Sequence, residues 1–473
     1  MPCLTMLLLP EILSVSPVPM PPPPPGSSKA ERDLYSLPNA TTSANFAVRW
    51  GSSGSVSPAD IDRVVGALEL SWSEEIEALS MPAPYGTDDW LFNVYIGDSG
   101  DGAPSASGVY GYYTVDGDGW PMIVLSLDAL AVSAETLTTI PHEFFHALQD
   151  AAGTYAYTGD SAWYWEATAT WMESVVYPDD LSYAVFLFGF AYLPHYPLTF
   201  FDYYDTGAFQ ELYQYGAFIF PRYIAEQVAS PQTIIDTWTD PRGHDEPLGA
   251  LSERIDLEET IGHFAAHNAI WDYEDGATYA DYLDYYADFP EYGDNDYRIA
   301  VTIESGGTDG WALPPAETLP GRYGTNVLDV PTVGLETPWV SLAGDAIGSE
   351  GSAASWWLTV IETDGPVYHH LMVTEAVSSF QLSLGTGPVK IVVTAMADDA
   401  VEGETFEYRY ALGDEPELTL DEVDTGDTGD GESEGCGCRG GSAGVLWLLP
   451  LYGSLRSRRR RTTTPSPSSN RSS

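Results

Sequence analysis

The sequence predicts an α+β domain, in which a sheet is followed by helices, and a C-terminal all-β sandwich domain. Runs rich in apolar residues indicate strands early in the chain, with one amphipathic helix near 58–79; the strands span 44–50, 90–97, 108–114 and 121–127. From 133 to about 272 the apolar spacing is mainly helical, with helices around His142, around Glu166 and at 207–228, 231–239 and 257–272. This order of sheet and then helices defines the first predicted domain, residues 40–275.

The predicted C-terminal domain, residues 315–415, has a different pattern. Short alternating runs recur about every ten residues and are separated by Gly/Asp turns; the clearest span 356–361, 380–384, 389–394 and 406–410. Such regularly spaced short strands are typical of an antiparallel β-sandwich. A connector, 276–314, joins the two predicted domains.

The chain of 473 residues is strongly acidic, with 70 Asp and Glu against 18 Lys and Arg and a net charge of −52. Nucleic acids and anionic lipids bind basic surfaces, so this balance argues strongly against both as partners. It suits a secreted protein. Apolar residues make up 44% of the chain, which is ample for a packed core.

Two acidic turns, 98–102 and 116–119, offer carboxylates to Ca²⁺. Neither has the full ligand spacing of a calcium-binding loop, so we favour solvated turn residues over a calcium site.

A stronger metal signal is the segment His142-Glu143-Phe144-Phe145-His146. On a helix the two histidines lie one turn apart and face the same way, so that both imidazoles can bind one metal ion. Glu166, on what the pattern predicts is the next helix, supplies a third ligand. Two His and one Glu with one open position form a catalytic zinc set, and Glu143 then faces the open position as a general base.

The flanking residues fit a short motif helix. Pro141 is compatible with the first turn of a helix capped at Thr139 or Ile140, but not with a helix that begins at Ser133. Gly153 is the predicted stop. The competing interpretation is a helix that carries two surface or capping histidines.

These residues carry a family resemblance. HEFFHALQ followed by WEATATWMES resembles the gluzincin class of zinc metallopeptidases, and most closely a group of secreted bacterial proteins regarded as metallopeptidases. The resemblance covers roughly residues 40–270 and implies a zincin-like fold. It also implies hydrolysis of peptide bonds by water that one Zn²⁺ activates, with Glu143 as the base and His142, His146 and Glu166 as ligands.

The chain departs from the thermolysin-like branch at one position. That branch usually has an acidic residue four positions after the third ligand, where this chain has Thr170. Glu173, two turns after Glu166 on the same helix face, is a candidate to orient a ligand histidine instead. The alternative is a solvated glutamate at the end of the helix.

The resemblance also implies a donor for the oxyanion, often a Tyr or His on a later helix. Tyr215 is our candidate, followed by His244 and His195. The remaining histidines are interpreted as structural: His263 and His267 repeat the i, i+4 spacing without a glutamate or a third ligand, and the adjacent His369 and His370 lie in a strand-like run with opposite faces.

Both ends of the chain resemble targeting signals. Residues 1–39 combine an apolar run with a proline string and indicate a degenerate or truncated secretion signal and a linker; because no basic residue precedes the run, we favour a misplaced start codon. Residues 416–435 form an acidic tether. Residues 436–461 resemble a myxobacterial-type sorting signal, with Cys436, Cys438, an apolar segment and an arginine cluster. Residues 462–473 form a disordered tail.

The sequence therefore predicts a secreted zinc peptidase that acts on a protein or peptide substrate. It is anchored at the cell surface or outer envelope, contacts a membrane only through its C-terminal tail, and has that tail processed by a sorting protease. The C-terminal sandwich is a spacer or a substrate-docking module. Two alternatives stay open: a non-catalytic surface adhesin that retains a structural metal site, and a zinc hydrolase of non-peptide bonds. The three cysteines, which include Cys3, lie outside the predicted folded domains.

Overall fold

The structure is a computed structural model that describes most of the chain between residues 29 and 415. The described residues are 29–132, 137–202, 210–287, 300–302, 311–330, 339–344, 347–362, 366–373, 378–381, 389–397, 400–401 and 403–415. The predicted signal region up to residue 28, the acidic tether, the sorting segment, the tail and all three cysteines lie outside these residues. The described part belongs to one compact unit that ends at Leu420.

The N-terminal part contains a five-stranded sheet in the order β1-β2-β3-β5-β4. Its strands are β1 (Asn39–Thr42), β2 (Phe46–Trp50), β3 (Phe92–Ile96), β4 (Gly111–Val115) and β5 (Pro121–Leu125). The three central strands are parallel, whereas β1 and β4 run antiparallel at the two edges. The four predicted strands are confirmed with shifts of a few residues at their ends, and β1 is an addition.

Eleven α-helices are described. They are α1 (Pro58–Ser71), α2 (Leu127–Val132), α3 (Thr139–Ala152), α4 (Ala162–Val176), α5 (Leu187–Ala191), α6 (Tyr213–Gly216), α7 (Ile219–Tyr223), α8 (Pro231–Thr239), α9 (Pro247–Ser252), α10 (Leu257–Asn268) and α11 (Gly276–Ala287). The helix predicted at 58–79 is α1 followed by a π-helical segment, Trp72–Ala78. The helix predicted at 207–228 is several short helical segments in its described part.

Helix α3 packs against the sheet through an aromatic cluster. The ring of Phe144 lies 5.3 Å from that of Phe46 in β2 and 5.6 Å from that of Phe92 in β3, both edge-on. All three side chains are buried, and they belong to the large core that sheet and helices share. Edge-on aromatic pairs at this distance add to the stability that burial alone supplies. The core therefore fixes the position of α3 relative to the strands.

The C-terminal part is rich in β-structure, as predicted. One sheet has the order β10-β9-β12-β7-β6 and a second has the order β11-β8-β13. The strands are β6 (Ala300–Thr302), β7 (Thr325–Val330), β8 (Trp339–Gly344), β9 (Ser355–Glu362), β10 (Val367–Val373), β11 (Ser378–Gln381), β12 (Val389–Met396) and β13 (Tyr408–Gly413). Buried residues of β7, β9 and β12 share one core with residues of β8 and β13. The described part of the molecule is thus an α+β structure with a C-terminal β-rich region.

Helix α10 covers the other face of the larger C-terminal sheet. Ala265 and Ala266 pack against Ile361 of β9 and Val392 of β12. A Cβ atom at Gly262 would lie 2.4 Å from the indole of Trp357, so this glycine lets the helix approach β9 closely. The β-rich region is therefore packed against the helical part through α10.

Candidate metal centre

Helix α3 carries the first two candidate ligands. It begins at Thr139 and ends before Gly153, whose φ of 59° is left-handed, so the predicted short helix and its stop are confirmed. Pro141 lies in the first turn, where its missing N–H costs no helical hydrogen bond. The N-cap is Thr138, one residue before the predicted cap. The imidazole rings of His142 and His146 lie 4.9 Å apart on the buried side of this helix.

Helix α4 brings Glu166 against both rings. Its Oε2 atom lies 3.3 Å from Nε2 of His142 and 3.5 Å from Nε2 of His146. In a tetrahedral site with bonds of about 2.0–2.2 Å, adjacent ligand atoms are separated by about 3.3–3.5 Å. The two distances from Glu166 therefore match those of a tetrahedral Zn²⁺ site, and each of the three side chains offers a ligand atom within 4.8 Å of the others.

A buried carboxylate fixes the orientation of His142. Nδ1 of His142 lies 3.0 Å from Oε1 of Glu173, which is only 4% exposed. When Nδ1 carries the proton, Nε2 is left as a lone-pair donor toward Glu166 and the metal position. Of the two interpretations of Glu173, the orienting one matches this contact, and a solvated glutamate does not.

An amide plays the corresponding part for His146. Nδ1 of His146 lies 2.7 Å from Oε1 of Gln149, on the same helix. Gln149 is held in turn, because its Nε2 donates to the carbonyl of Trp165 at 3.0 Å and to Oγ1 of Thr168 at 2.9 Å. Both residues belong to α4, so the helix that carries Glu166 also fixes the orientation of His146. The sequence analysis missed Gln149, although its i+3 spacing from His146 is a usable signal.

Tyr157 contacts the remaining oxygen of Glu166. Its hydroxyl donates to Oε1 at 2.6 Å, and this leaves Oε2 for the two histidines. Tyr157 lies in the loop between α3 and α4, where no periodicity or spacing in the sequence singles it out. It is the second contact that the sequence analysis missed.

The electrostatics of the centre favour the charged forms of His142 and Glu166. Burial alone lowers the pKa of His142, but hydrogen bonds to Glu166 and Glu173 outweigh it and hold that pKa well above its ordinary value. Burial alone raises the pKa of Glu166, but His146 and His142 outweigh it, so that pKa lies below the usual range. The carboxylates of the centre therefore favour a positive charge among them, and either a proton on His142 or a metal cation can supply that charge.

Glu143 is a further buried acidic side chain beside the two histidines. It is 2% exposed, and burial raises its pKa despite the two neighbouring histidines. One of its oxygens, Oε2, has no hydrogen-bond partner among the described residues. A backbone hydrogen bond from Tyr113 reaches the carboxylate. A buried carboxylate with one free oxygen and a raised pKa has the properties of a general base.

The edge strand β4 passes beside Glu143 because of a glycine. A Cβ atom at Gly111 would lie 2.8 Å from Cγ2 of Thr139 and 3.1 Å from Cγ of Glu143. Without a side chain at Gly111, helix α3 approaches β4 closely enough for Glu143 to bond with the strand backbone at Tyr113. The candidate base therefore lies at the rim of the sheet.

The structure places Tyr215 beside the candidate ligands. Its ring stacks on that of His142 with 6.0 Å between centroids and an angle of 25°, and the residue is buried. The two runner-up residues lie in other surroundings. His195 lines a cavity toward the β-rich region, where burial lowers its pKa to about 4. His244 lies 3.7 Å from Glu253.

The second histidine pair, on α10, is part of an aromatic interface. The ring of His263 lies 3.9 Å from that of His370 in β10, and the ring of His267 stacks on Tyr368 at 5.0 Å. His369 lies beside Glu362, with 3.3 Å between Nε2 and Oε1. These contacts agree with the structural interpretation of all four histidines.

The acidic turns have partners of their own. Asp116 and Asp118 both bind Arg32, and Oδ1 of Asp116 accepts the backbone N–H of Trp120. Asp98 accepts the backbone N–H of Ala106 at 2.8 Å. The guanidinium of Arg32 or a backbone N–H thus satisfies these carboxylates, which favours the turn interpretation over a calcium site.

Comparison with known families places the chain without assigning an activity. The profile of DUF6055, a family of unknown function, matches residues 24–398, which is most of the chain. The chain therefore belongs to this family. No curated protein matches it.

Among the described residues, no helix has both the length and the apolar character that a membrane span requires. The apolar segment of the predicted sorting signal lies outside them.

Proposed function

We propose that the chain is a zinc-dependent peptidase with a zincin-like domain of gluzincin type. The observation that carries the proposal is the convergence of His142 and His146 on Oε2 of Glu166, at 3.3 and 3.5 Å, beside the unpaired oxygen of Glu143. When bound there, Zn²⁺ would act as a Lewis acid that polarises a carbonyl and lowers the pKa of water from about 16 to about 7. The four residues together supply three ligands and one base.

The roles of the protein groups follow from their contacts. Glu143 would take a proton at Oε2 from the water that attacks the carbonyl carbon and pass it to the amine nitrogen as the C–N bond breaks, which its raised pKa favours. Glu173 and Gln149 would keep the two imidazoles aligned, because each accepts the Nδ1 proton. Tyr215 is our candidate to stabilise the negative charge that develops on the substrate carbonyl oxygen, since it lies against His142.

A peptide substrate also has a binding surface next to the base. Strand β4 is the last strand of its sheet, so backbone groups on its outer edge, other than the one that binds Glu143, could pair with an extended chain. Because the backbone of Tyr113 reaches Glu143, a peptide paired with β4 would lie close to the base. This arrangement favours peptide bonds over other substrates.

Two further parts of the proposal rest on the sequence. Secretion and anchoring at the cell surface or outer envelope follow from the two ends of the chain, with processing of the tail by a sorting protease. In this proposal the C-terminal β-rich region is an all-β sandwich domain.

One observation favours the alternative, a binding protein with a structural zinc site. His142, Glu143, His146 and Glu166 are all at most 6% exposed, and structural sites are typically closed. The two functions differ in Glu143, because only hydrolysis needs a base beside the metal.

The experiment that separates them uses the purified full chain. Zinc is measured by elemental analysis, and cleavage of casein is followed by mass spectrometry. We expect about one zinc per chain, cleavage by the wild type, and loss of cleavage with retained zinc in Glu143→Gln. Glu77→Gln is the control, because Glu77 is exposed on the π-helical segment. Zinc binding without cleavage in the wild type would support the binding protein, and unchanged cleavage in Glu143→Gln would contradict the assigned base.

A further inference from the structure

A second feature of the molecule has the dimensions of a ligand site. A cavity of about 430 Å³ lies between the helical part and the β-rich region, within the range of about 300–1,000 Å³ that ligand pockets occupy. The helical part contributes Phe200 and Phe201, and the β-rich region contributes Leu319, Ala400 and Val401. Neither part of the chain encloses this space alone.

The cavity wall is aromatic on the helical side. The rings of Tyr196 and Phe200 lie 4.7 Å apart and edge-on, and the ring of Phe200 lies 5.3 Å from that of the buried Tyr213. Such a wall offers a large apolar contact surface at low entropic cost, since the rings are already fixed by their neighbours. It is suited to an apolar group of the ligand.

The charged groups of the cavity argue against an anionic ligand. Arg322, which lines the cavity, lies 3.6 Å from Glu246 and donates Nε to the carbonyl of Ala397 at 3.3 Å. The other charged side chains of the wall are acidic: Asp160, Glu317 and Glu404. The net negative charge of the wall would therefore repel a phosphate or carboxylate, whereas it would not repel an apolar side chain or a neutral peptide.

One aromatic layer separates the cavity from the metal centre. The ring of Phe201 lies 5.4 Å from that of Tyr157, edge-on, and Tyr157 donates its hydroxyl to Glu166. Gly159 and Asp160, which also line the cavity, immediately precede the helix that carries Glu166. Phe201 thus connects the wall of the cavity to Tyr157, the residue that contacts the third candidate ligand.

We propose that this cavity is a specificity pocket that takes a large apolar side chain, aromatic or leucine-like, of the peptide substrate. The pocket holds this side chain at a fixed position a few residues from the cleaved bond. The inference rests on the proposed peptidase function and names its substrate class. It also gives the β-rich region a function, because that region supplies the wall opposite the aromatic residues.

The first test is cleavage of a peptide mixture by the full chain, with the residues around each cut read by mass spectrometry. Ala400→Trp fills the pocket from the β-rich side, and Phe200→Ala removes part of the aromatic wall. We expect a wild-type preference for Phe, Tyr or Leu at one position. We expect Ala400→Trp to lower kcat/KM about 10-fold or more for those peptides, and much less for peptides with Ala there.

The matched control is Ala59→Trp, an exposed position in the first turn of α1, which should leave the preference unchanged. Thermal unfolding checks that each variant is folded. A wild type that cuts without preference at any position would overturn the pocket. So would a preference that both folded pocket variants retain.

A binding measurement separates this inference from the peptidase proposal. The probe is N-acetyl-4-fluorophenylalanine amide, followed by ¹⁹F NMR line width on the full chain carrying Glu143→Gln. We expect broadening, and its loss when Ala400→Trp is added. Broadening that depends on Ala400 without any cleavage by the wild type would refute the peptidase and keep the apolar pocket. Cleavage by the wild type without any broadening would keep the peptidase and refute the pocket.

Discussion

Two helices of this protein carry histidines at the same i, i+4 spacing, and they differ in everything else. On α3, His142 and His146 are at most 6% exposed and both face Glu166. On α10, His263 and His267 are partly exposed and pack against aromatic rings of β10. The first pair converges on one point, and the second pair forms part of an interface.

The difference shows what the spacing does not supply. A metal centre needs a third ligand from a second element and an acceptor on each Nδ1. Helix α4 supplies Glu166, Glu173 and the groups that fix Gln149. Helix α10 instead faces β10, where the ring of His370 lies 3.9 Å from the ring of His263. The neighbouring element therefore decides whether a histidine pair has the partners that a metal site needs.

The largest expected effect is the loss of zinc from the site of His142 and His146 on α3, with no effect of changes in the second pair. Glu166→Ala removes the shared ligand and leaves two histidines, so we expect zinc content to fall from about one per chain to near zero. The matched variant His263→Ala should leave zinc unchanged, because His263 packs on His370 and Trp357. Elemental analysis of both purified variants measures this. Full zinc in Glu166→Ala would show that another residue is the third ligand.

The next effect concerns the residues that orient the imidazoles. Glu173→Ala and Gln149→Ala each remove the acceptor that fixes one ring, and we expect zinc affinity to fall about 10–100-fold. Competition with a chromophoric chelator measures the dissociation constant. Glu77→Gln, at an exposed position, should give the wild-type value. A wild-type affinity in both variants would mean that ring orientation does not depend on these contacts.

A smaller effect concerns packing at α10, which should change the stability of the fold but not the zinc content. Gly262→Ala places a Cβ atom 2.4 Å from the Trp357 indole, and overpacking of this kind costs about 1–3 kcal/mol. Gly66→Ala in α1 is the control, since its Cβ meets nothing within 4 Å, and we expect a gain of about 0.5–1 kcal/mol. Denaturant unfolding gives both values. Zinc content should stay constant in each variant. A changed zinc content in Gly262→Ala would show that packing at α10 affects the metal centre at α3.

The smallest effect is a pH dependence at the α10 interface. Burial and the neighbouring His263, His267 and His369 lower the pKa of His370 to about 4, below its unfolded value of about 6.5. The unfolded state then binds more protons between these values, so stability is full above pH 6.5 and falls as the pH drops toward 4. We expect the Tm to fall less between pH 7 and 5 in His370→Gln than in the wild type. Identical falls would exclude a contribution from His370.

The sequence predicted those parts of the fold and site that depend on local spacing. The helix of His142 and His146, its stop at Gly153 and the four strands of the first sheet follow from residues within one or two turns or one strand. Glu166 was accessible because its helix follows next along the chain and resembles a known motif. The β-rich character of the C-terminal region followed from alternating apolar residues.

The rest depends on contacts between distant segments. Tyr157 reaches Glu166 from a loop, and loops carry no periodic signal. The π-helical segment Trp72–Ala78 and the breaks between 210 and 228 occur inside patterns that read as continuous helices. Helix α11 lies in the range predicted as a connector, where the carbonyl of Leu283 accepts from the hydroxyl of Tyr192, the residue that follows α5. Pairwise tertiary contacts of this kind leave no pattern in a single sequence.

The position of Trp165 gives the metal centre an optical reporter of its own. Its indole lies 6.1 Å from the ring of His146, and its carbonyl accepts from Gln149. Cobalt(II) or copper(II) in place of zinc would quench fluorescence from an indole at this range far more strongly than from tryptophans on remote strands. The chain has 14 tryptophans, so the difference spectrum between wild type and Trp165→Phe isolates this signal. Filling of the centre can then be followed in real time, without any substrate.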